Sequence, residues 1–212
     1  MAPNDDEPDD EPDLRIVGVD AHPLPWPTDA HFDPALLAHG DRRNVVDRYR
    51  YWRMASIVAD LDRHRHRFEV AIENFERDAN IGAIVRSANA FAASAVHIVG
   101  RRRWNRRGAM MTERYMHVHH HDALDGLLDH ARDRGLVVVG IDNLPGAIAI
   151  GTAALPPNSV LLFGQEGPGL SEQARRACVQ LLAIPQFGST RSINASAAAA
   201  IAMHEWCRRH AN

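Results

Sequence analysis

Three short blocks hold the residues whose types and spacing can do chemistry. The first runs Asn74-Phe75-Glu76-Arg77-Asp78-Ala79-Asn80-Ile81-Gly82-Ala83-Ile84-Val85-Arg86. An amide and a guanidinium, Asn80 and Arg86, stand six residues apart. Between them they offer an amide donor and acceptor and a fixed positive charge. Two helical residues six apart do not share a face. The pair converges only if Asn80 lies in the loop or cap and Arg86 one to two turns into the helix. By residue type alone, Asn80 reads equally as a helix cap and Arg86 as one half of a surface ion pair.

The second block is Gly164-Gln165-Glu166-Gly167-Pro168-Gly169-Leu170-Ser171, directly after an apolar run. Its three glycines let backbone amides and carbonyls approach a ligand, and Glu166 adds one carboxylate. No Lys-Ser/Thr pair follows, so it is not a P-loop, and Gly167-Pro168-Gly169 does not continue as a dinucleotide fingerprint. A neutral, backbone-reading loop suits an adenosine-type ligand better than a phosphate. Ser171 is placed to cap the next helix. The third block, Ile184-Pro185-Gln186-Phe187-Gly188-Ser189-Thr190-Arg191-Ser192-Ile193-Asn194-Ala195-Ser196, leads into an alanine run that permits close packing. Taken singly, its Ser and Asn residues read as helix caps.

Each block lies where a strand should end, the edge at which open α/β sheets bind ligands. Strands are expected at 68–72, 96–99, 136–141, 159–163 and 181–184, and helices at 81–92, 122–134 and 192–210. Gly135 is a helix stop. Strands spaced by helices predict an α/β fold with a parallel sheet covered on both faces. Three stretches are expected: an acidic disordered tail at 1–13, an N-terminal extension at 14–66, and the α/β domain at 67–212. In the extension, Val45, Val46, Tyr49, Trp52, Ile57, Val58 and Leu61 predict an amphipathic helix over 43–63. Eight arginines between 42 and 67 would make its face basic, either solvated or set against RNA phosphates.

The net charge of −3 conceals an asymmetry. Seven acids and no base lie in residues 1–13, which leaves 20 acids against 24 bases in the body, about +4. That balance suits a polyanionic partner. Cys178 and Cys207 form no metal-ligand spacing and are expected as reduced thiols. No apolar run approaches a membrane span, and the acidic, Pro-rich N-terminus is unlike a secretory signal, so a cytoplasmic protein is expected.

In this order and at these separations the blocks resemble the SpoU/TrmH-type RNA ribose methyltransferases of the SPOUT superfamily. Those enzymes carry N-x-G-x-x-x-R, G-x-E-G-x-G and P-x-x-G-x-x-x-S-[LI]-N-x-S blocks. The resemblance covers about residues 67–210. Gln186-Phe187 stands where a Met and a small residue are frequent, and Ala195 where Val is common. The resemblance implies a C-terminal trefoil knot, S-adenosyl-L-methionine as cofactor, a homodimer, and methyl transfer to a ribose 2′-hydroxyl of tRNA or rRNA. It implies Asn80, Arg86, Glu166, Ser192 and Asn194 as the catalytic set. It implies Gly164, Glu166, Gly167, Ile184, Ser192, Ile193 and Ser196 as cofactor contacts. Arg86 is the residue often proposed as base, but a guanidinium stays protonated and acts more readily through its charge. The different-class alternative is an RNA-binding or assembly protein of the same fold without turnover.

Two further clusters remain. Arg101, Arg102, Arg103, Trp104, Arg106 and Arg107 combine five cations with one aromatic ring, a set suited to phosphate contact and base stacking, or simply a solvated loop. In His117-Val118-His119-His120-His121, alternation puts His117, His119 and His121 on one strand face. A metal is not expected there, since methyl transfer in the resembled family needs none. A solvated strand end, or an RNA or interface contact, is the expectation.

Overall fold

The computed structural model describes residues 18–74, 80–165 and 167–211. They divide into two compact units, one ending at Arg53 and one beginning at Met54.

In the first unit a short helix, α1 (Pro34–His39), starts at an Asp33 cap and a first-turn proline. Short antiparallel bridges join Val19 to Asp41 and Phe32 to Trp52. The unit is organised by the buried carboxylate of Asp41. It accepts from Arg43 Nε and Nη2 at 2.8 and 2.6 Å and from the amides of Arg43 and Tyr51 at 3.0 Å each. This overrides the expected helix over 43–63. Residues 43–53 form a loop with one 3-10 turn, Asp47–Tyr49, and Tyr51 takes a positive φ of 63°. The helix that does form, α2 (Met54–Asp62), opens the second unit and contains no base, so the expected basic amphipathic helix is absent. Arg43 also donates to the Trp52 carbonyl, Arg50 to the Arg43 carbonyl, and Arg53 to those of Ala30 and Phe32. Several of the arginines that suggested a basic face therefore close the loop.

The second unit is a seven-stranded, fully parallel sheet with both faces covered. Its strands are β1 (Glu69–Asn74), β2 (Val96–Gly100), β3 (Val118–His121), β4 (Val137–Ile141), β5 (Ile148–Ala149), β6 (Ser159–Phe163) and β7 (Gln180–Ala183). The order across the sheet is β3-β2-β1-β6-β4-β7-β5. The α/β class and parallel sheet are as the sequence predicts. Its helices are α3 (Ile81–Ala90), α4 (Leu124–Asp133), α5 (Glu172–Ala177) and α6 (Ala195–His210). Alternation along the strands separates two cores. Val70, Ile72, Val96, Ile98, Leu161 and Phe163 meet α3 and α6 on one face. Ala71, Val99, Val160 and Leu162 meet α4 and α5 on the other. The alanines of α6 let it lie close, with Ala199, Ala202, Met203 and Trp206 fully or nearly buried. Among the described residues no helix is long and apolar enough to cross a membrane.

Candidate functional site

A cavity of about 320 Å³ opens at the carboxyl ends of β4, β6 and β7. It is lined by Ile141, Asp142 and Asn143 after β4, and by Phe163, Gly164, Gln165, Gly167 and Gly169 after β6. Ile184 and Gln186 after β7, and Ser192 to Ala195 with Ala198 at the start of α6, complete it.

The glycine loop is shaped by its own backbone. Gln165 and Gly169 exchange two amide–carbonyl hydrogen bonds at 3.1 and 3.0 Å, and Gly167 and Gly169 have φ of 98° and 75°. A Cβ on Gly164 would lie 2.1 Å from the Gly169 carbonyl carbon. The bare position at 164 is therefore demanded by the loop folding on itself, before any ligand is considered. Asp142 ties this loop to β4: its Oδ2 accepts from the Leu170 amide at 2.8 Å. Ser171 caps α5 as its sequence position predicts, its Oγ accepting from the Ala174 amide at 3.1 Å.

The helix start of the third block is built on Asn194. Its Oδ1 accepts from the amides of Ser196 and Ala197 and from the Ser196 hydroxyl, capping α6. Its Nδ2 donates to Asn80 Oδ1 at 2.8 Å, across 114 residues of sequence. Asn80 sits at the start of α3, yet its side chain makes no capping bond. The first and third blocks are thus joined through side chains whose plain reading is capping. Only Asn194 performs that role.

Arg86 lies on α3, well exposed, and its side chain makes no hydrogen bond or ion pair with another described residue. Gly82 lets the same helix seat the turn Arg106–Ala109, since a Cβ there would stand 2.8 Å from the Ala109 nitrogen. Buried Asn74 holds the start of that loop: Nδ2 donates to the carbonyls of Arg101 and Arg103 at 2.7 and 3.1 Å, and its own carbonyl accepts from the Arg101 amide. The arginine-rich loop is therefore fixed beside α3. Arg101, Arg102, Arg103, Arg106 and Arg107 are exposed. Trp104 is half-buried against the core, with the Arg106 guanidinium 5.6 Å from its ring centroid.

Of the residues read from the sequence, Gly164, Gly167, Ile184, Ser192, Ile193 and Asn194 line the cavity and Asn80 is bonded to its wall. Ser196 stands behind Asn194 rather than in the lining, Arg86 does not line it, and Glu166 lies outside the described residues. Asp142, Asn143 and Gln165 were missed, and Gln186 stood out only as a departure from the resembled family's pattern. Asp142 follows an apolar run, so the strand-end rule that picked out the other blocks could have found it. The described lining has one acid, Asp142, and no Lys or Arg. Such a wall suits a neutral or cationic ligand and not a phosphate. Gln165 Oε1 and Gln186 Oε1 are buried without a partner among the described residues. Each is an acceptor that an N–H of a ligand would satisfy. Gly-rich backbone, apolar side chains and free amide acceptors together fit an adenosine bearing a sulfonium. Both cysteines are free thiols; burial pushes Cys178 up to about 12 and also raises Cys207, so neither is a ready nucleophile.

At the amino-terminal end of the same sheet the histidines form a different cluster. His97, His119 and, through a hydrogen bond, His121 share the α4 face, with His97 Nδ1 2.9 Å from His121 Nε2. Glu69 Oε2 meets both His97 Nε2 and His130 Nε2 at 2.8 Å. Burial alone would raise the Glu69 carboxyl, but the hydrogen bonds and charge of His97 and His130 outweigh it and bring it down to about 2. Burial lowers His97 and His119, and burial with neighbouring imidazoles takes His121 down to about 4. His117 instead pairs with Asp62 at 2.8 Å, and His120 meets the Gly100 carbonyl at 2.7 Å. The expected solvated strand end is thus half-buried and bonded inward at its last two histidines.

Comparison with known proteins gives one consistent result. The sequence model of the SpoU rRNA Methylase family matches residues 67–204. A Mycobacterium ulcerans protein described as an uncharacterized tRNA/rRNA methyltransferase is 37% identical over 66% of this chain and 46% of its own length. The chain thus spans about half the length of the curated relatives it matches. Among solved structures, the SpoU methyltransferase AviRb of Streptomyces viridochromogenes, in complex with AdoMet, is 26% identical with a TM-score of 0.62. That match covers 68% of this chain and 58% of AviRb. An RNA 2′-O ribose methyltransferase is also 26% identical, with a TM-score of 0.59, over 67% of this chain and 55% of that one.

Proposed function

The chain belongs to the SpoU rRNA Methylase family, and on that premise we propose that it is an S-adenosyl-L-methionine-dependent RNA methyltransferase acting on a ribose 2′-hydroxyl of tRNA or rRNA. The observation that carries this reading is that two distant blocks line one strand-end cavity and the Asn80–Asn194 hydrogen bond ties the third to its wall. Likeness to an RNA 2′-O ribose methyltransferase supports the ribose oxygen as acceptor.

Gly164, Gly167, Ile184 and Ile193 would hold the cofactor by backbone and apolar contact, with Ser192 and the unpaired Gln165 and Gln186 oxygens supplying polar ones. When bound, S-adenosyl-L-methionine supplies an electrophilic methyl group on a good leaving group. The protein's task is then to make a ribose hydroxyl nucleophilic and to align it in line. Arg86 is exposed and unpaired among the described residues, so it can take an RNA phosphate and stabilise the ribose oxygen as its proton passes to solvent water. Its guanidinium acts by charge and not as a base. Asn80, held by Asn194, would orient Arg86 and the ribose, a task its motif alone assigns to Glu166 as well. The exposed arginines of 101–107 would hold the flanking RNA backbone. The same reading includes a C-terminal trefoil knot around the cavity, a homodimer packed through α6, where Ile201 is exposed, and action in the cytoplasm.

Labelled methyl transfer to RNA tests the proposal. A 2′-O-methyl product resists alkaline cleavage, because that cleavage uses the free 2′-oxygen. Arg86→Ala should lower turnover by at least about 100-fold while cofactor affinity stays within about twofold. Normal turnover in that variant would remove Arg86 from the chemistry. RNA binding without any transfer would leave an RNA-binding protein.

A further inference from the structure

We propose that Glu69, His97 and His130 form a binding site for one zinc-class divalent cation, remote from the strand-end cavity. One ligand atom from each of Glu69, His97 and His130 lies within 4.8 Å of the other two. They come from three separate elements: the first residue of β1, the second of β2, and α4. Their spacing in sequence carries no metal-ligand motif.

The donor set selects the cation. Two imidazole nitrogens with one carboxylate oxygen suit zinc or cobalt, whereas calcium and magnesium require mostly oxygen. The two oxygens of Glu69 are already divided. Oε1 faces Arg134 Nε and Ser94 Oγ, each at 3.3 Å. Oε2 receives both imidazoles, so it is the oxygen turned toward the shared point. Each imidazole now approaches that oxygen at 2.8 Å. The ligand–ligand edge of a tetrahedral zinc site is about 3.3 Å, given metal–ligand bonds of about 2.0 to 2.1 Å. The contacts must therefore open by about half an ångström. His130 can open its own contact, since its side chain on α4 is 21% exposed; the Glu69–His97 contact must open within a pair whose side chains are 2% and 0% exposed.

Ligation also needs a bare Nε2 on each imidazole, which moves the ring proton to Nδ1. For His97 an acceptor is in place, because His121 Nε2 stands 2.9 Å from His97 Nδ1. That is the outer hydrogen bond that usually orients a metal-bound histidine. A cavity of about 530 Å³ is bordered by Ser94, His119 and Arg134, residues that touch the cluster, but not by the three donors themselves. Glu69 and Asn74 begin and end β1, about 17 Å apart at strand rise. The cation would clamp β1, β2 and α4 together without entering the methyl-transfer site.

The test uses tag-free full chain stripped with a chelator and titrated with cobalt(II), followed by visible absorption and calorimetry. One equivalent per chain should bind with the intense visible bands of a low-coordinate nitrogen–oxygen site. Zinc should displace it and raise the melting temperature. Glu69→Gln and His130→Ala should each weaken binding by at least about 10-fold and lose the zinc-dependent rise, while His119→Ala retains both. Should Glu69→Gln fail to fold by circular dichroism, His130→Ala carries the test. Absence of uptake, or equal uptake by wild type and both variants, would overturn the proposal and leave a hydrogen-bonded cluster only. The readout is independent of RNA and of methyl transfer.

Discussion

The two ends of the parallel sheet are made of opposite materials. At the carboxyl ends of β4, β6 and β7 the wall is glycine backbone, small helix-start residues and apolar side chains, with one acid and no base among the described lining. At the amino ends of β1 and β2 the space is filled by side chains: Glu69, His97 and, from α4, His130. One end is shaped by what the backbone does when Cβ atoms are absent. The other depends on how titratable groups satisfy one another away from water. A loop built by backbone tolerates almost no added atom, whereas a side-chain cluster responds to charge, protons and cations.

The comparison breaks most sharply at Gly164. Gly164→Val places carbon atoms inside the Gly169 backbone. It should lower S-adenosyl-L-methionine affinity by at least about 100-fold in calorimetry, with the histidine end unaffected. Near-normal binding would mean the loop does not shape the pocket. Next, replacing Arg101, Arg102, Arg103, Arg106 and Arg107 together by Ala should weaken RNA binding about 100-fold at low salt and flatten its salt dependence, with cofactor affinity unchanged. Filter binding across salt concentrations measures both. A smaller effect separates the ends by stability. Asn194→Ala removes the α6 cap and the link to Asn80 and should cost about 1 to 2 kcal/mol in urea unfolding. Asn80→Ala, which loses the link but keeps the cap, should cost about 0.5 to 1 kcal/mol. Equal costs would mean the cap contributes nothing.

The smallest expected effect lies outside both ends, in the unit that ends at Arg53. Burial pushes the Asp41 carboxyl up, and the hydrogen bonds from Arg43 and Tyr51 with the Arg43 charge more than reverse it, so its folded pKa lies below 3.8. A depressed carboxylate stabilises the fold above its unfolded pKa and loses that contribution as pH falls from about 3.8 downward. Urea midpoints of wild type should therefore drop in that range, and Asp41→Asn should lack that part of the slope. A parallel pH dependence in the variant would count against Asp41.

Legibility follows the same division. Strands such as Val137–Ile141 and Ser159–Phe163 were readable because a parallel strand buried on both faces is an unbroken apolar run. β3, Val118–His121, carries three histidines and showed only alternation. Residues 43–53 misled because Val46, Tyr49 and Trp52 imitate a helical stripe. In the fold Val46 is 61% exposed, while Trp52 joins Phe32 in a bridge. A single buried carboxylate, that of Asp41, outweighs that periodicity by collecting four donors. The glycine loop was legible as a ligand-binding feature. Its first glycine, however, answers to Gly169 before it answers to any ligand.

What the sequence alone determined is local. It specified an α/β alternation, three strand-end blocks in a recognisable order, and the Ser171 cap, because tight loops and helix starts need particular residues within a few positions of one another. The tertiary structure decided which distant side chains meet. Asn194 reaches Asn80 across 114 residues, and Glu69 stands between His97 and His130, 28 and 61 residues away. A parallel sheet sets together strands far apart in the chain, and a contact made by one side chain from each leaves no periodic trace in sequence.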